Sequence, residues 1–191
     1  MKENMETVEA TRETLGKYVV ALDLAGYENT GDFMKYAPLF EKAREYASMS
    51  NDIYLTANIN IIQGENHLYN NRIDKAINSY KEAVDLLENK QWGEDLRFAP
   101  LNKLALCYAQ KGENETALQY ANEAKKYVKT ITNKRAINSS LCDIYINLKQ
   151  WDKAETSLLQ ADDTISYLGK SIYLEKMIQW HTKERCFTLK T

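Results

Sequence analysis

Two prolines and seven glycines in 191 residues leave few chain breakers, which excludes a turn-rich β-sandwich and a collagen-like chain. The three cysteines, Cys107, Cys142 and Cys186, are too few and too scattered for a disulfide framework. Each lies in an apolar helical pattern and reads as a small buried hydrophobe. No run of 18 or more apolar residues occurs, so no membrane-spanning helix is expected. Charge of one sign is also missing. Lys and Arg number 25 against 27 Asp and Glu, so no global field recruits nucleic acid or an anionic membrane. Met1 to Thr14 is polar and acidic and lacks the basic-then-apolar order of a secretory signal. Together with free cysteines this favours the cytoplasm; a fragment of a membrane-anchored sensor would instead lie outside it.

Catalytic signatures are absent as well. His67 and His181 are the only histidines and stand on different units, with no HExxH or Cys-x-x-Cys string near them. His181 and Cys186 are five apart on one helix, which does not bring them to one face. No GxxxxGK[ST], GxGxxG or GxSxG string occurs. No enzyme activity, metal or cofactor is expected. The basic stretch Lys125, Lys126, Lys129, Lys134 and Arg135 lacks interleaved aromatics and reads as a solvated helix end rather than a nucleic-acid site. His67 reads as a satisfied structural histidine.

What is present is repetition. A 44% hydrophobic and 27% charged composition is that of a folded chain, and within it one phrase recurs. It runs from Gly64 through Ala76 and Tyr80 to Ala83, from Ala105 through Gly112 and Ala117 to Ala124, and from Cys142 through Ala154 and Leu158 to Ala161. A degenerate copy precedes these, with Leu24, Tyr27, Gly31, Phe33, Tyr36, Phe40 and Ala43. Taking Tyr36, Ala76, Ala117 and Ala154 as equivalent, the periods are 40, 41 and 37. Each copy reads as two amphipathic helices. Leu101, Leu104, Ala105 and Tyr108 share one face before Gly112 breaks the chain, and Ala117, Ala121, Ala124 and Val128 share another after it. Asp74, Glu113, Glu115 and Asp152 open second helices and Lys125 closes one, as the helix dipole favours.

These residues resemble the tetratricopeptide repeat, with its small residue and aromatic on the first helix, turn glycine, and small–aromatic–alanine series on the second. The resemblance covers roughly residues 17–168, with units near 17–50, 57–90, 98–131 and 135–168 and a half-repeat or cap at 170–191. The periods exceed the usual 34 residues, so longer helices or connections are expected. The resemblance implies an all-α fold: a right-handed superhelical array of antiparallel helix pairs, an α-solenoid of about four repeats plus a terminal half-repeat. It further implies a concave groove lined by first helices. Carried across by position, that face holds Asn58, Ile61 and Glu65, then Asn102 and Leu106, then Ser139 and Asp143, then His181 and Arg185. The expected partner is a protein or peptide segment of mixed polar and apolar character. The long repeats are similar to the repeat segments of bacterial regulators. The alternative is a self-associating scaffold that forms a homodimer through the array end around Trp180 and Phe187.

Overall fold

A computed structural model describes residues 37–88, 90 and 94–161; Trp180, His181, Arg185, Cys186 and Phe187, with residues 1–36, lie outside the described residues. Those described form seven α-helices and no strand: α1 Ala37–Ser50, α2 Ile53–Tyr69, α3 Ile73–Leu87, α4 Glu94–Gln110, α5 Asn114–Lys125, α6 Ile131–Asn147 and α7 Trp151–Ala161. The described residues are all-helical, consistent with the expected all-α class. Each helix packs on the next in sequence, and in addition α2 touches α4 and α4 touches α6.

The three complete helix pairs, α2–α3, α4–α5 and α6–α7, turn by one device. Asn71, Gly112 and Lys149 stand 41 and 37 residues apart and carry φ of 55, 79 and 59°. The next residue in each turn donates its N–H back five places: Arg72 to the His67 carbonyl (2.8 Å), Glu113 to Tyr108 (2.9 Å) and Gln150 to Tyr145 (2.8 Å). The left-handed residue itself donates three places back, to Leu68, Ala109 and Ile146, at 3.0 Å each. This is a Schellman closure, which satisfies the last carbonyls of the first helix. The same residue that ends one helix then accepts the first bond of the next: Ala76, Ala117 and Ala154 donate to Arg72, Glu113 and Gln150. The sequence marks only one of these turns, at Gly112; Asn71 and Lys149 take the same backbone without a glycine.

First helices begin where a side chain can cap them. Asp52 Oδ1 accepts from Leu55 N at 3.1 Å, and Thr130 Oγ1 accepts from Asn133 N at 3.0 Å. These helices start at Ile53, Glu94 and Ile131 and are 17 residues each. They therefore open four residues ahead of the frames 57, 98 and 135. That is where the length beyond a 34-residue unit goes. The two periods differ because α3 has 15 residues and α5 has 12, with one residue more in the connection after α3.

Packing follows the phrase. Ala76, Ala117 and Ala154 are all 0% exposed, as are Ala83 and Ala124, which lets paired helices approach closely. Sixteen residues separate Gly64 from Tyr80, Ala105 from Ala121, and Cys142 from Leu158. At the first of these crossings a Cβ built on Gly64 would stand 2.5 Å from Tyr80 Cε1, so the ring occupies the space a side chain would take. A continuous core runs from Ile61 to Ile144 across α2 to α6, and Cys142, Ala154 and Leu158 form a second cluster, with Tyr145 packed against both. Pro100 sits inside α4, where it leaves the Leu96 carbonyl without its usual N–H partner. Its counterparts Ile59 and Ile137 are, like it, fully buried, so the position is held by apolar contact rather than by backbone bonding.

Candidate functional site

The candidate site is the face that α2, α4 and α6 share. These helices adjoin because each pairs with its own second helix, leaving first helix beside first helix. Across α2 and α4, Lys103 Nζ lies 3.2 Å from Glu65 Oε1. Across α4 and α6, Asn147 Nδ2 donates to the Ala109 carbonyl at 3.5 Å. The register is direct: Ile61, Asn102 and Ser139 are equivalent, as are Glu65, Leu106 and Asp143.

The expected groove residues differ sharply in availability. Ser139 is exposed, Leu106 and Asp143 are half-buried, and Glu65 is exposed but engaged by Lys103. Asn58 donates Nδ2 to the Tyr54 carbonyl one turn earlier at 3.1 Å, so its amide serves its own helix. Ile61 and Asn102 are 8% and 6% exposed. Asn102 is the informative one, because its Oδ1 is enclosed and has no hydrogen-bond partner. A buried amide oxygen left unpaired costs on the order of 1–3 kcal/mol.

A second enclosed group without a partner comes from α3. Tyr80 crosses from α3 past Gly64; it is 0% exposed, and its hydroxyl also lacks a partner. Burial, then the Glu65 carboxylate, then Cys107 hold its phenol far above the ordinary range, so it is a fixed neutral donor. Neither the Tyr80 hydroxyl nor Lys103 is among the groove residues drawn from sequence. The signal was available for Lys103, which follows Asn102 directly, but Tyr80 reads as a core aromatic and its hydroxyl has no sequence signature.

The remaining reactive groups are quiet. Burial pushes the Cys107 and Cys142 thiols up to about 11, opposed at Cys107 by Lys103 and reinforced at Cys142 by Asp143. Both therefore stay protonated at neutral pH and are poor nucleophiles. His67 departs from expectation: it is half-buried, yet its Nδ1 has no partner, so it is not a satisfied histidine. Among the described residues no three His, Cys, Asp or Glu side chains are grouped to hold a metal ion. No described helix is long and apolar enough to cross a membrane. In the basic stretch Lys125, Lys126, Lys129, Lys134 and Arg135 are all exposed. The face formed by α2, α4 and α6 offers hydrogen-bonding groups, two carboxylates and apolar contact. No family model, curated protein or solved structure matches this chain.

Proposed function

We propose that this chain is a non-catalytic interaction module of the tetratricopeptide-repeat kind, whose first helices hold a peptide or a segment of a partner protein. The observation that carries the reading is that α2, α4 and α6 lie side by side and bring the exposed Ser139 and the half-buried Leu106 to one face. Ser139 stands in one row with Ile61 and Asn102, and Leu106 in the next with Glu65 and Asp143. The Ser139 hydroxyl offers a hydrogen bond to a peptide backbone, and an apolar side chain beside it covers Leu106. A superhelical curvature that wraps the ligand and a place in a larger regulator belong to the same reading.

The test is to pan a random peptide library on the immobilised full chain. Peptides are expected to be enriched and to lose about tenfold in affinity when Leu106→Asp replaces the apolar contact by a charge, which corresponds to about 1.4 kcal/mol. The exposed Glu155→Gln on α7 leaves their affinity unchanged. Failure to enrich any peptide, or equal binding by the Leu106→Asp protein with unchanged helicity, overturns the reading.

A further inference from the structure

A separate feature lies between α1, α2 and α3, where a cleft of about 340 Å³ opens. Ala47 from α1, Ile53 and Ile59 from α2 and Leu86 from α3 form its apolar walls. The exposed Arg44 and Glu82 also line it, 4.0 Å apart, and Arg44 donates to Gln63 Oε1 as well. Asn60 is 6% exposed and lines the cleft, yet its side-chain amide has no hydrogen-bond partner among the described residues.

The next copy of the repeat shows what closes such a seat. With the offsets of 40 and 41 residues, the counterparts of Ala47, Thr56 and Leu86 are Leu87, Arg97 and Tyr127. There Arg97 reaches across: Nε and Nη2 donate to the Leu87 carbonyl, Nη1 donates to Tyr127 Oη at 3.0 Å, and the guanidinium lies 5.4 Å from the Tyr127 ring centroid. Thr56 is too short to do this, and its hydroxyl donates to the Asp52 carbonyl at 2.8 Å. The floor differs too. Asn60 corresponds to Leu101, which is 1% exposed and packs in the core. A short residue in place of arginine opens the seat, and an amide in place of leucine puts a polar group in it.

We propose that this cleft binds a small neutral molecule that presents a hydrogen-bond donor and acceptor side by side on an apolar frame, as a lactam or a nucleobase does. The Asn60 carboxamide carries a carbonyl acceptor and an amino donor in one plane, and such a group pairs with a ligand edge through two parallel bonds. A buried amide without a partner carries a cost that this pairing removes. Ala47, Ile53, Ile59 and Leu86 cover the apolar frame, and a volume of about 340 Å³ is that of a small-molecule site. Charge sets neutrality: Arg44 and Glu82 offset one another, so neither a cation nor an anion is favoured. The cleft shares no residue with the candidate peptide face.

The full-length, isotope-labelled protein is titrated by NMR on its backbone amide signals with three probes of similar shape. These are oxindole (a lactam), adenine, and indane, which lacks a hydrogen-bonding edge. Oxindole or adenine is expected to produce saturable shifts, with indane about tenfold weaker, as the loss of two hydrogen bonds implies. Asn60→Leu, which installs the residue of the next copy, should remove that preference. Thr56→Arg, at a half-buried position, should fill the cleft and abolish binding of all three, with helicity by circular dichroism as the check on folding in both variants. Binding of oxindole alone identifies a lactam-type ligand, binding of adenine alone a nucleobase, and binding of both the shared edge. No saturable shift with either, indane binding as tightly as the better of them, or binding that survives Thr56→Arg overturns the proposal, as does a preference that persists in a folded Asn60→Leu protein.

Discussion

Gly64→Ala tests the packing account most directly, because the general rule and this structure predict opposite signs. In an ordinary helix interior, replacing glycine by alanine stabilises by about 0.5–1 kcal/mol through backbone entropy. At position 64 the new methyl would meet Tyr80 Cε1 at 2.5 Å and Cδ1 and Cζ at 2.8 Å. Carbon contacts are favourable near 3.5–4.0 Å, so the methyl intrudes by about 1 Å. Tyr80 is 0% exposed and its ring is rigid, so the helices themselves must part. Overpacking of this kind costs roughly 1–3 kcal/mol, which outweighs the entropic gain and leaves a net loss of about 1–2 kcal/mol. Shortening the partner relieves it. Tyr80→Leu alone leaves a cavity and costs about 2–3 kcal/mol, whereas the double variant resembles the Cys142–Leu158 crossing and costs less than the sum of the two. The assay is urea unfolding followed by circular dichroism, with the slope checked for constancy across variants. A Gly64→Ala protein more stable than the parent, or strict additivity in the double variant, would refute the reasoning.

Three further outcomes follow from the same structure. Gly112→Ala should cost about 1 kcal/mol, because its φ of +79° is unfavourable for any side chain, while Asn71→Gly should change stability by a few tenths only, since asparagine tolerates that region; chemical denaturation midpoints compare the two. Arg97 donates Nε and Nη2 to the Leu87 carbonyl and Nη1 to Tyr127 Oη at 3.0 Å, so Arg97→Ala should cost about 2 kcal/mol. Arg97→Lys should fail to restore it, because one ammonium does not span both partners; thermal unfolding reads both. Finally, the folded thiols of Cys107 and Cys142 sit at about 11 against an ordinary 9.0. Folding therefore favours their protonated forms, the contribution is complete below pH 9 and is lost as pH rises towards 11. Cys107→Ala with Cys142→Ala should flatten that decline in a series of urea midpoints between pH 8 and 11; an unchanged decline would count against it.

Much of the architecture was readable because alanine recurs at fixed offsets within each copy. Ala76, Ala117 and Ala154 mark where two helices cross, and a crossing admits only a small side chain, so the phrase survives in composition. The turn at Gly112 was readable for a similar reason. Its equivalents at Asn71 and Lys149 were not, since the left-handed backbone there is imposed by hydrogen bonds from residues on both sides rather than by residue type. In the three described units the first helix opens four residues ahead of the rough frames at 57, 98 and 135. Periodicity reports the packed stretch of a helix, whereas the caps at Asp52 and Thr130 lie beyond it.

On the candidate face, sequence placed Ile61, Asn102 and Ser139 in one row, because equivalent positions in equivalent helices must align. It could not tell that Asn58 spends its amide on Tyr54, that Glu65 is held by Lys103, or that Asn102 keeps an unpaired oxygen. Those differences depend on which side chains arrive from neighbouring helices. The residues by themselves determined that the chain is helical, repetitive and paired, since periodicity and small-residue spacing are properties of single segments. Only the tertiary structure decided which polar groups are satisfied, such as Asn58 and Glu65, and which are enclosed without a partner, such as Asn102 and Tyr80. Burial and charge balance are sums over elements distant in the chain, and no local pattern encodes them.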